Sequence, residues 1–104
     1  MPAIHLIERM GHIRRIDKAR NEWASGYWAL SRETAARLEG GGIYFHECQS
    51  GASFFGGEIV SYFVQREDSH AGKIVYLLRA DLAFKGVTTG REGWRNEMKI
   101  VWDV

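Results

Sequence analysis

The chain has little cysteine, little net charge and no long apolar run, and each shortage excludes something. Cys48 is the single cysteine, so no internal disulfide can form, and a reducing compartment such as the cytoplasm is the expected setting. Lys and Arg number 14 against 13 Asp and Glu, a net charge of +1, so no overall field gathers a polyanion. Any contact with nucleic acid must come from a local patch. No apolar stretch approaches the roughly 20 residues that a spanning helix requires. The N-terminus also lacks the basic-then-apolar form of a signal peptide, so a soluble protein with no membrane contact is expected.

Several catalytic signatures are missing as well. No Gly-Lys-Ser/Thr ends a glycine loop, and no strand-to-helix dinucleotide fingerprint is present, so nucleotide hydrolysis has no support. Ser53 is followed by Phe54 and lacks the glycines of a nucleophile elbow. Glu67 and Asp68 fall in a turn where solvent keeps both ionised, and Glu47 and Glu58 stand alone, so no carboxylate pair is set up for acid–base work. A non-catalytic protein is the favoured expectation.

What is present suffices for one domain spanning residues 1–104, with 45% hydrophobic residues and four Trp, four Tyr and five Phe for its core. One segment carries helix punctuation: Ser31 can cap, Glu33 meets the positive end of the helix dipole, and Gly40 follows the last turn of "RETAARLE". Its apolar stripe of Ala35, Ala36 and Leu38 is narrow, so a sheet must supply most of the core. Four runs rich in β-branched and aromatic residues read as strands, at 43–48, 58–64, 73–79 and 98–104. The run at 73–79 lacks apolar–polar alternation and is expected at the centre, covered on both faces. "YWAL" (27–30) is a further candidate strand, and "AIHLI" near the N-terminus another. "HIRRIDKARNEW" follows neither period, so residues 1–22 are expected to include an irregular basic segment.

Many short strands, turn clusters and one short helix predict an α+β domain built on a small, curved, mostly antiparallel β-barrel. In "SFFGG" (53–57), Gly56 and Gly57 suit a bend or a close backbone approach, while Phe54 and Phe55 point to opposite sides if the segment is extended. The two rings either close a barrel end or line a pocket. The order of strand, capped helix, glycine turn and strand in "GYWALSRETAARLEGGGIYFHE" resembles the PUA-like superfamily, particularly its EVE and ASCH branches. That resemblance implies a module that binds RNA, or DNA carrying a modified base, in a cleft lined by aromatic and polar side chains.

The loop "FKGVTTGREGWRNE" (84–97) sets Lys85, Arg91 and Arg95 around Trp94, which supplies cations for phosphates and an indole plane for a base. Alternatively the Trp folds back on the sheet and the arginines pair with Glu92 and Glu97. A second basic patch, with Arg14 and Arg15, either joins that loop in one positive cleft or guards an exposed edge against pairing. His46 and Cys48, two apart in "YFHECQS", would share a face of a strand. Lacking further ligands at zinc spacing, they read better as a hydrogen-bonded histidine and a small buried thiol, with His46 and Tyr44 lining a pocket beside Phe54 or Phe55. No metal and no cofactor are expected. The expected partner is RNA or DNA, and the competing reading is an interaction domain whose exposed aromatics bury against another protein or a second copy.

Overall fold

In a computed structural model describing residues 1–102, strands dominate and the helix is accessory. The strands are β1 (Ala3–Ile7), β2 (Ile13–Asp17), β3 (Glu22–Trp28), β4 (Gly42–His46), β5 (Phe55–Val64), β6 (Ile74–Ala80) and β7 (Met98–Val101). They form one open mixed sheet in the order β2-β3-β6-β5-β4-β1-β7, leaving β2 and β7 as its edges. Every pairing is antiparallel except β1 with β4. The fold is thus α+β, with an open sheet where a closed barrel was expected. Residues 103 and 104, the end of the expected last strand, lie outside the described residues.

Alternation decides which side chains enter the core. On β1 and β4 the pairs Ile4–Ile43 and Leu6–Phe45 face inward and are fully buried, while His5–Tyr44 and Ile7–His46 face the other way. Met98 and Ile100 of β7 continue the inner face, and Lys99 stands beside His5 on the outer one. β6 is central as its pattern predicts: Ile74, Val75, Tyr76 and Leu78 are all buried.

The helix α1 (Arg32–Arg37) closes one end of the core with Ala35, and Leu38 just after it is also buried. Ser31 Oγ accepts from the Thr34 N–H at 3.1 Å, and Gly40 exits with φ +81°, a conformation that suits glycine. The Tyr76 hydroxyl donates to the Ala35 carbonyl at 3.3 Å, and burial pushes its pKa well above the ordinary phenol range.

The N-terminal stretch corrects the expectation of irregularity. "IRRID" is a five-residue edge strand whose register shifts between Arg15 and Asp17. Being at an edge, it buries little beyond Ile13, so its sequence shows no buried periodicity. Gly56 and Gly57 serve close approach: a Cβ on Gly57 would run into the Arg79 carbonyl, and one on Gly56 into the Ile43 carbonyl and Phe84.

Candidate functional site

Two groups of aromatic and polar side chains stand out, one on the outer face of β1, β4 and β7 and one at the mouth of the core. On the outer face, His5 stacks on Tyr44 with ring centroids 4.6 Å apart, and Phe84 leans on Tyr44 at 4.9 Å. Trp94 comes down from the loop after β6 and sets its ring edge-on to His46 at 5.8 Å and to His5 at 6.4 Å. That loop is pinned: the Ser53 hydroxyl donates to the Phe84 carbonyl at 2.6 Å and accepts from the Val87 N–H at 2.9 Å. Further along, Lys99 donates to the Gly90 carbonyl at 2.6 Å.

The histidines form a chain whose proton positions are dictated by its end. The Gly51 carbonyl can only accept, so His46 Nδ1, 2.8 Å away, carries the proton. In the neutral form of His46, Nε2 is then the acceptor, and His5 Nδ1–H donates to it at 2.9 Å. Burial pushes the His5 pKa down to about 4, with His46 and Lys99 adding smaller contributions, so His5 is neutral near neutral pH. The Trp94 indole N–H is buried and has no hydrogen-bond partner among the described residues.

The second group lines an open cleft of about 980 Å³ at the mouth of the core, where β3 and β7 face each other. Trp28, Met98, Ile100 and Trp102 give it an apolar wall, and Tyr27, Lys73, Arg95 and Glu97 give it polar ones. Trp28 is held by its indole N–H donating to Ser25 Oγ at 3.1 Å, and the Arg37 guanidinium sits over Trp102 at 4.1 Å. Tyr27 is stacked on His70 at 4.0 Å, and His12 meets it edge-on at 5.2 Å. Among the described residues, the side chains of Lys73, Arg95 and Glu97 and the Tyr27 hydroxyl make no hydrogen bond or ion pair.

The residues singled out in the sequence are therefore divided. Tyr44, His46 and Trp94 come together on the outer face with His5, which the sequence reading missed. Arg95 reaches the cleft, and Arg14 lines a smaller cavity that shares Tyr27 with it. Arg15 lies over the Trp23 ring at 5.1 Å. Lys85 and Arg91 are exposed and do not line the cleft, and neither Arg91 nor Arg95 pairs with Glu92 or Glu97. Phe55 packs edge-on against Trp23 at 5.0 Å, whereas Phe54 is exposed by a shallow cavity with Cys48. Strand β4 ends at His46, so Cys48 lies beyond it and is exposed rather than buried, and its Sγ is 3.7 Å from Ser50 Oγ.

Among the described residues no group of three or more His, Cys, Asp or Glu is placed to hold a metal ion, and no helix is long and apolar enough to cross a membrane. Family models, curated proteins and solved structures yield no match to the chain.

Proposed function

We propose that the chain is a non-catalytic module that binds single-stranded nucleic acid or a nucleotide, RNA or DNA, modified bases included, in the cleft between β3 and β7. One observation carries the reading: unpaired cations, Arg95 and Lys73, border the same hollow as the Trp102 and Tyr27 rings, above the buried Trp28. Cations neutralise phosphate, and aromatic faces stack bases without regard to sequence. Tyr27, already stacked on His70, costs little further entropy to present as a platform. In this reading the curved sheet is a PUA-like barrel opened at the cleft, and its lone exposed cysteine suits the cytoplasm.

The test is a salt titration of binding to single- and double-stranded RNA and DNA, with and without modified bases. Affinity that falls steeply as salt rises, and falls further in the double variant Lys73→Ala/Arg95→Ala, supports the reading. Failure to bind any member of the panel at low salt overturns it.

A further inference from the structure

The cleft adjoins a second hollow, and the carboxylate that lines both bears on which base the groove takes. The cleft shares Tyr27, Trp28 and Glu97 with a second cavity of about 370 Å³ that is also lined by Glu8. Arg95 and Lys73 line the cleft, and Arg9, whose Nε donates to the Glu47 carbonyl, lines the second cavity; of the two carboxylates, Glu8 lines only the second cavity and Glu97 lines both. They are not equivalent. Glu8 is nearly buried, and its Oε1 is occupied by the Met10 and Gly11 N–H groups at 2.6 and 2.9 Å. Glu97 is exposed, and its side chain has no partner among the described residues, while its backbone carbonyl is fixed by the Ile7 N–H at 2.9 Å. A carboxylate anchored through its own backbone and facing a hollow can accept hydrogen bonds and donate none.

We propose that Glu97 makes this groove select guanine, resting on the nucleotide-binding reading above. For a ligand whose phosphate meets Arg95 or Lys73 and whose ring lies along Tyr27, Glu97 is the unpartnered carboxylate in the same lining, available to its outer edge. Guanine alone among the four common bases presents two adjacent donors, N1–H and the N2 amine, that match the two oxygens of a carboxylate. Cytosine and adenine offer one amine beside a ring acceptor. Uracil sets carbonyl oxygens on both sides of its single N–H, where the carboxylate repels them.

The test is competition by the four 5′-mononucleotides, and by uridine hexamers with one central G, A, C or U, against a labelled oligonucleotide bound to the full chain. The guanine ligands are expected to bind about tenfold or more tighter than their uracil counterparts, a preference that Glu97→Gln abolishes without loss of the salt response. Equal affinity for all four bases, or a guanine preference unchanged in Glu97→Gln, overturns the selectivity and leaves the nucleotide reading standing. Absence of binding by every ligand overturns both.

Discussion

The outer face of β1 and β4 and the cleft between β3 and β7 are built from similar residues, yet the cleft adds unpaired cations and a carboxylate beside its aromatic rings. On the outer face, His46 spends both ring nitrogens on Gly51 and His5, His5 spends one on His46, and Tyr44 is sandwiched between His5 and Phe84. At the cleft, two cations, a carboxylate and a phenol all lack partners among the described residues. A cluster of histidines and aromatics is thus not by itself a site. What marks one is polar capacity left unspent beside accessible surface.

The sharpest way to break the comparison is to strike the outer face alone. Gly56→Ala places a methyl against the Ile43 carbonyl and the Phe84 side chain, and should destabilise the fold by about 3 kcal/mol or more, read as a lower urea midpoint. If the two regions are separate, conditions that keep this variant folded should also keep its ligand affinity.

Acid should separate them next. The unfolded His5 titrates near 6.5 and the folded one near 4, so the unfolded state binds the extra proton between those values. The contribution is fully present above about pH 6.5 and is lost progressively as pH falls toward 4, by at most about 3 kcal/mol. Urea titrations of the wild type and of His5→Phe across that range should show the slope in the former and its reduction in the latter.

Arg95→Ala addresses the cleft alone. Its exposed side chain has no partner to lose, so stability should stay within about 0.5 kcal/mol, while oligonucleotide affinity drops and the slope of log affinity against log salt shrinks by about one. The smallest effect is expected of Trp94→Phe, which keeps an aromatic ring over the histidines and removes an unsatisfied N–H. Stability should be unchanged or higher by up to about 1 kcal/mol, and binding should not move. Weaker binding in that variant would draw Trp94 into the site.

Local chemistry made much of the fold legible. The Ser31 cap, the Gly40 exit and the three strands Gly42–His46, Phe55–Val64 and Ile74–Ala80 all carry short-range signals that the structure repeats. β2 was illegible for a physical reason: an edge strand with Arg14, Arg15 and Ile16 exposed has no face whose burial would impose a period. The candidate site was less legible than the fold. Tyr44, His46 and Trp94 drew notice as residue types, but their neighbour His5 arrives through the parallel pairing of β1 with β4, and no sequence spacing reports that contact. The cleft joins Tyr27 and Trp28 to Arg95 and Trp102 across the sheet's curvature, so only Arg95 could be guessed from its loop.

The placement of β1 between β4 and β7 also governs how the molecule comes together. As the chain leaves the ribosome, β1 must wait for β4 to supply its first neighbour and for β7, almost a chain length later, to supply its second. Until then it presents a bare hydrogen-bonding edge to any other chain nearby. The cleft between β3 and β7 is therefore the last feature to form, and a product ending before β7 would be a clumping hazard.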